Sequence, residues 1–344
     1  MKLPRPIIFL TVLVGVVFVT IVLGLLLLPR FIDSQRIRDK IGAQWAEKTD
    51  GSLSFATIAL LWFPRPRVVM ENVAFTFDDK TQGSIRSVTL FPSLVYLLTG
   101  RWVARQALLN EPKFSLRLPQ SSASPVDLEE WEKQIRSALV RLTMDPPAPR
   151  IELAGGSVDI RIGEHVPVIL ENVTASSSGS LTELRFEISA RSNLCEQFKV
   201  EGKISPQDLA SELNIGVRQL KMKESLALVP LQISDSLQQG EASFNAKIAS
   251  VGLRQVKASI DGSLGPFVFE RHGGSATVDV KRLKGGISYQ RGAFQADVDQ
   301  LDFASPKLKV SGNLRFDAGL LSAQMNVRDV DIAEIKSLAL RVAD

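Results

Sequence analysis

Reactive side chains are scarce in this sequence. Its 344 residues include one cysteine, Cys195, and two histidines, His165 and His272. A single cysteine excludes an intramolecular disulfide and any cysteine cluster that could hold a metal, and we interpret Cys195 as an inert thiol of the core. Both histidines lie in turn-like segments, which favours surface positions over roles as ligands or bases. The sequence therefore predicts no catalytic residue, no metal site and no cofactor.

Sequence motifs of enzymes and of nucleic-acid-binding proteins are absent as well. There is no nucleophile elbow, no phosphate-binding glycine loop before a helix and no His-x-x-x-His pair. Lys and Arg number 41 against 37 Asp and Glu, without a dense basic run, so binding to nucleic acid is not predicted. The excess positive charge lies between Arg30 and Leu118. It could form a solvated basic face or contact anionic lipid headgroups, and the sequence does not decide between these interpretations. The chain is thus predicted not to be an enzyme.

A long apolar stretch near the N-terminus predicts a membrane anchor. Ile7 to Leu28 contains no charged residue, and a helix of this length spans about 33 Å, enough for a bilayer core of about 30 Å. A cleaved signal peptide is the alternative, but its apolar region is shorter and ends in small residues, whereas here four leucines run into Pro29. Basic residues flank both ends, so the positive-inside rule does not set the orientation.

A few helical segments are predicted besides the anchor. Apolar residues follow helical spacing in Asp33–Thr49 and Val126–Leu142, and Ser93–Leu98 reads as a short helix. The proline-rich run Met144–Pro149 then gives the best internal boundary. The predicted domains are the anchor, a β segment with flanking helices and a continuing β segment, at 1–30, 31–145 and 146–344.

Most of the chain after Ser52 alternates apolar and polar residues, as in Val158-Asp-Ile160-Arg-Ile162. This period of two predicts strands with one face in water. Turn signals such as Gly155-Gly156, Asp261-Gly262 and Gly285-Gly286 predict reversals between neighbouring strands. Because no helical crossovers are found in the second half, we predict a long antiparallel meander. An internal echo, Glu-Asn-Val at residues 71–73 and 171–173, is typical of a duplicated β unit.

The apolar strand face is the candidate binding surface. It could be the core of a closed sandwich or the lining of an open trough that shelters acyl chains, and composition does not decide between them. Moving about thirty methylenes through water costs on the order of 20 kcal/mol. An apolar groove would remove most of this free-energy cost. The predicted lining residues are Val158, Ile160, Ile162, Phe186, Ile188, Phe244, Ile248, Ile260, Val278, Phe294, Val298, Val310 and Leu314.

The first 120 residues resemble the N-terminal region of the AsmA family of bacterial inner-membrane-anchored proteins. The likeness rests on the anchor and following helix, then on Trp62-Phe-Pro64-Arg-Pro66 and Val69-Met-Glu-Asn-Val73. It continues with a leucine-rich turn ending in Gly100-Arg101 and with the strand Pro112-Lys-Phe-Ser-Leu-Arg-Leu118. In combination these motifs are fairly specific. A second, C-terminal AsmA-like section is not found.

The resemblance implies a single-pass protein of the bacterial inner membrane with most of its chain in the periplasm. It implies an elongated, repeating antiparallel β-sheet curled into a groove, similar to that of chorein-type lipid-transfer proteins. Phospholipid transport between inner and outer membrane and envelope homeostasis would be its function, with an acyl lipid and envelope or outer-membrane proteins as partners. Catalysis is not implied.

A second hypothesis is a membrane-tethered scaffold or assembly factor for outer-membrane biogenesis with a closed β core. The substitution Ile260→Asp separates the two hypotheses. An unpaired carboxylate in a closed core should unfold the domain, whereas an open groove should keep its fold and lose lipid passage.

Overall fold

The chain folds mainly into β-strands. The structure is a computed structural model. Its described residues form seventeen strands of a largely antiparallel sheet, which confirms the prediction of a mainly β, antiparallel fold. The residues that it describes are 43, 51–77, 81–93, 95–96, 103–118, 150–162, 167–180, 182–227, 237–252, 255–271, 274–290, 293–317 and 320–336. The chain divides into two compact units, Met1–Glu111 and Pro112–Asp344.

Several predicted segments lie outside the described residues. These are the anchor from Ile7 to Leu28, nearly all of the helix Asp33–Thr49, the helix Val126–Leu142 and the boundary at 145/146. In the described ranges, no helix has the length and apolar character needed to cross a membrane.

The first unit centres on one long strand, β3. Two short strands pair with it on one side and β4 pairs with it on the other. Its buried side chains include Phe55, Val73, Phe75, Ile85 and Val88. The strands are β1 (Leu53–Ser54), β2 (Thr57–Leu61), β3 (Arg67–Phe77) and β4 (Thr81–Pro92), and β5 (Ala104–Leu118) contains the division between the units.

In its described residues the second unit holds twelve strands, a short helix, α1 (Met222–Leu226), between β10 and β11, and a helical segment at 332–336 after the last strand. The strands are β6 (Arg150–Ile162), β7 (Val168–Gly179), β8 (Leu184–Ser192), β9 (Gln197–Ile204), β10 (Ser211–Lys221), β11 (Leu237–Gln239), β12 (Glu241–Val251), β13 (Gln255–Arg271), β14 (Gly274–Gln290), β15 (Ala293–Ser305), β16 (Leu308–Asp317) and β17 (Leu320–Arg328).

The strands of the second unit form an antiparallel meander, as the sequence predicts. From β6 to β10 and from β12 to β17, each strand pairs with the next one. β12 follows β10 in the sheet, and β11 pairs with β13 beside it. Within the described residues, β17 pairs with β16 and with no other strand. Backbone hydrogen bonds between the described strands therefore do not close this part of the sheet on itself.

Three of the predicted reversals are wrong. Gly155-Gly156, Asp261-Gly262 and Gly285-Gly286 lie inside β6, β13 and β14 rather than between strands. Gly155 has a φ of 66° at a register shift, so it forms a bulge. At Gly262 and Gly285 the backbone of a neighbouring strand occupies the space of a side chain. Glycine here permits close strand contact, which local sequence does not distinguish from a turn.

Bulges also keep the apolar residues of the long strands on one face of the sheet. On one face of β13, Val256, Ala258, Ile260 and Leu264 occupy even positions whereas Phe267 and Phe269 occupy odd ones, and the register shifts between Leu264 and Phe267. A similar shift separates Val298 from Leu301 in β15. Since one extra residue reverses the alternation, each bulge returns the following apolar residues to the same face of the sheet.

The two copies of the Glu-Asn-Val echo have the same local conformation. Asn72 and Asn172 have φ values of 50° and 51°, uncommon for residues other than glycine. The valines after them, Val73 and Val173, are both buried. Both copies therefore share an asparagine with positive φ followed by a buried valine.

Substitution of Gly285 by alanine is expected to destabilise the second unit. A Cβ atom there would overlap the carbonyl oxygen of Asp297, which is fixed in the adjacent strand. Overpacking of this kind costs about 1–3 kcal/mol, and chemical denaturation would measure it. Gly286→Ala is the matched control. Its Cβ would lie 3.2 Å from the Ala258 carbonyl oxygen, a much smaller overlap than at Gly285, so it should cost less stability. Equal loss of stability in both variants would contradict this account.

Candidate functional site

One face of the second unit carries apolar side chains across eleven strands. Residues that pair directly in an antiparallel sheet project from the same face, so the strand register defines cross-strand rows. The central row extends about 48 Å along the sheet at about 4.8 Å per strand. It consists of Leu153, Ala175, Ile188, Val200, Ile215, Ala246, Ile260, Gly285, Val298, Gly312 and Met325.

Two further rows flank the central row, and we call the surface made by the three rows and the residues beside them the apolar face. No charged residue occupies any position of the three rows. One flanking row is Ile151, Ser177, Phe186, Gly202, Leu213, Ile248, Ala258, Ile287, Ala296, Leu314 and Ala323. The other is Ala190, Phe198, Val217, Phe244, Gly262, Leu283, Leu301, Val310 and Val327.

The structure places the predicted lining residues on this one face. Val158 and Ile160 pair with Leu170 and Val168. The bulge between Leu153 and Gly156 places them on the same face of the sheet as Leu153. Those with described side chains are Val158, Ile160, Phe186, Ile188, Phe244, Ile248, Ile260, Val278, Phe294, Val298, Val310 and Leu314. Ile162 ends β6, and its side chain lies outside the described part of the chain.

The opposite face, which we call the polar face, carries polar and charged side chains. Lys199 donates to Glu187 at 3.0 Å and to Glu201 at 3.2 Å. These hydrogen bonds raise the pKa of Lys199 above its ordinary value. The two glutamates are directly opposed on adjacent strands, so the lysine offsets a repulsion between like charges. One row of this face is Ser176, Glu187, Glu201, Asn214, Lys247, Ser259, Gly286, Asp297, Asn313 and Gln324.

Most side chains of the apolar face are neither buried nor fully exposed. Ile188, Ile215, Ile260 and Val298 are all half-buried, whereas Val217 is among the few buried members. A core between two packed sheets would bury the central residues of its strands almost completely. Exposure rises toward β17, where Met325 is 71% exposed. This gradient leaves a broad apolar surface in contact with solvent.

Shallow depressions also occur on the polar face. One is lined by Lys199, Asn245, Asp261, Lys281 and Arg282, among others. Its walls carry charges of both signs, so it provides no apolar environment for a lipid chain. The apolar face therefore remains the candidate site.

The few reactive groups do not form a site in the described residues. Cys195 is a buried free thiol, and burial raises its pKa, which disfavours the reactive thiolate. His165 and His272 lie outside the described residues. No cluster of metal-ligating side chains is found in the part of the chain that the structure describes.

Several members of the apolar face are not among the predicted lining residues. Leu283, Leu301 and Phe303 follow bulges, so they break the simple alternation from which the lining was chosen. Ile215 and Val200 alternate regularly, and this pattern could have added them. Met325 belongs to β17, whose pairing with β16 carries the face one strand further.

The chain matches no protein-family model, no curated protein and no solved structure. The resemblance to the AsmA family therefore stays a prediction.

Proposed function

We propose that the apolar face binds acyl chains of lipids and shields them from water during movement between membranes. The observation that carries this proposal is the set of uncharged rows that continue over as many as eleven strands and whose side chains are mostly half-buried and not fully buried. A sheet with one charged face and one apolar face needs a cover for the latter. An acyl chain can cover the apolar face and dissociate again.

The proposal includes the curl of the sheet into a groove along the apolar face and the placement of the chain. An N-terminal anchor between Ile7 and Leu28 would hold it in a bacterial inner membrane as a single-pass protein, with most of the chain in the periplasm. Phospholipid would be the cargo, and envelope or outer-membrane proteins would receive it. No catalytic step is needed, since burial of methylenes at about 0.8 kcal/mol each lowers the barrier to transfer.

The open edge at β17 supports this function over the scaffold with a closed core. A closed core would require a partner layer on the apolar face, and none of the described residues of the second unit supplies one across Ile188, Ile260 and Val298. Binding of envelope proteins through the polar face is compatible with lipid binding and does not replace it.

Photo-crosslinking tests the proposal directly. A benzophenone amino acid at Phe244 or Ile260 is expected to label radioactive phospholipid when the full chain meets vesicles of phosphatidylethanolamine and phosphatidylglycerol. The same probe at Asn245 or Ser259 is expected to label little, because adjacent strand residues project from opposite faces.

The paired positions serve as matched controls, since each pair shares a strand and differs only in the face. Equal labelling from both faces would contradict a lipid site on the apolar face, and so would absence of labelling at Phe244 and Ile260.

A further inference from the structure

The edge strand β17 is unusually open to pairing. All nine of its residues are exposed. Its register with β16 runs from Lys309–Arg328 to Asp317–Leu320 without a bulge. One edge of its backbone has no strand partner in the described residues of the second unit. A regular exposed edge of this kind is a template for another strand.

The usual protective features of an edge strand are missing from β17. Its sequence, Leu-Leu-Ser-Ala-Gln-Met-Asn-Val-Arg, has no proline, no lysine and no charge before Arg328. Its apolar face is bare, with Leu321 67% and Met325 71% exposed. Natural sheets protect exposed edge strands against pairing with charge, proline or bulges. Because Leu320 to Asn326 has none of these features, the edge is suited to pairing with another strand.

We propose that β17 pairs antiparallel with β17 of a second copy of this chain, centred on Gln324. In this register all nine residues find a partner. On the apolar face, Leu321 lies opposite Val327 and Ala323 opposite Met325. On the polar face, Ser322 lies opposite Asn326, and the two Gln324 amides meet at the two-fold axis, where each can both donate and accept.

Side-chain chemistry selects a second copy as the occupant. A slip by one residue would set apolar residues opposite polar ones, so facing restricts the register. The one charged residue of the strand, Arg328, lies opposite Leu320 of the other copy. Asp317 is the next residue in that cross-strand row and accepts a hydrogen bond from Arg315 at 3.0 Å, so the guanidinium of Arg328 approaches an ion pair and not an isolated basic group. The apolar rows would then continue directly from one copy to the next.

Crosslinking of the full chain with one added cysteine, in detergent, tests both the contact and its register. Gln324→Cys is expected to form a crosslinked species of twice the 37.7 kDa chain mass with a short bismaleimide. Ser322→Cys alone is not expected to, because two such residues would be offset by four positions. A mixture of Ser322→Cys and Asn326→Cys chains should crosslink again. The parent chain is the control, since Cys195 is buried.

A charge on the apolar face of β17 provides the second test. Adding Met325→Lys to the Gln324→Cys chain should abolish the dimer, because an inward-pointing charge blocks edge pairing. Val251→Lys is the matched control at another exposed apolar residue of the second unit, and it should leave the dimer intact. Circular dichroism would verify that each variant is folded.

Two results would overturn the proposal. One is the absence of a dimer with Gln324→Cys in folded protein. The other is equal crosslinking by Gln324→Cys and Ser322→Cys, which would indicate random collision or pairing with a different strand.

Discussion

Ile260→Asp is expected to leave the second unit folded and to reduce its lipid binding by roughly tenfold or more, the equivalent of at least about 1.4 kcal/mol. Ile260 lies in the middle of the central row, with Ala246 and Gly285 as its direct cross-strand neighbours. These neighbours are small and Ile260 is only half-buried, so the carboxylate can reach water in the empty protein. A bound acyl chain would desolvate it, which is costly without a partner.

The measurement is co-purified phospholipid per chain, together with transfer of a fluorescent phospholipid between vesicles. Ser259→Asp is the matched control, because it adds the same charge one residue away on the polar face, where it should change neither quantity. Loss of the folded β signal in Ile260→Asp alone would instead support a closed core. Normal lipid binding by folded Ile260→Asp protein would contradict the proposed function.

The strands and their facing could be predicted because the alternation is strong over most of the chain. The spacing of Phe186, Ile188, Phe244 and Ile248 is enough to assign one side of each strand, and the register confirms that these residues share a face. A period of two carries this information without knowledge of the neighbours.

The lengths of the strands could not be predicted in the same way. Gly285-Gly286 has the composition of a turn, yet it lies within a strand of 17 residues. Whether a glycine pair reverses the chain or makes room for a neighbouring backbone depends on residues that are distant in sequence, here Asp297. Local propensity contains no record of that contact, so the prediction of a reversal failed.

The openness of the site is also a property of the assembled sheet. Val217 and Ile215 are both apolar and lie two residues apart in β10, but Val217 is buried and Ile215 is half-buried. Sequence alternation gives the side on which each residue lies. It does not give the presence or absence of a covering layer, and this is why composition does not decide between the trough and the closed core.

The largest loss of stability is expected from truncation of Leu237, which lies in a tightly packed region of the second unit. Leu237 is only 1% exposed and pairs with Phe269, and the Phe267 and Phe269 rings lie 6.2 Å apart beside it. Gly240 packs so closely against Phe267 that no Cβ would fit there. Such a tight environment cannot collapse into a cavity, so Leu237→Ala should cost about 2–5 kcal/mol.

Urea denaturation followed by circular dichroism would measure this loss as a lower transition midpoint. Leu320→Ala provides the control, since it removes the same atoms from a leucine that is 77% exposed, and it should shift the midpoint little. Equal shifts would mean that the contacts of Leu237 do not stabilise the fold. A large shift confined to Leu237→Ala, combined with tolerance of Ile260→Asp, would separate the part of the sheet that holds the fold from the face that is free to bind lipid.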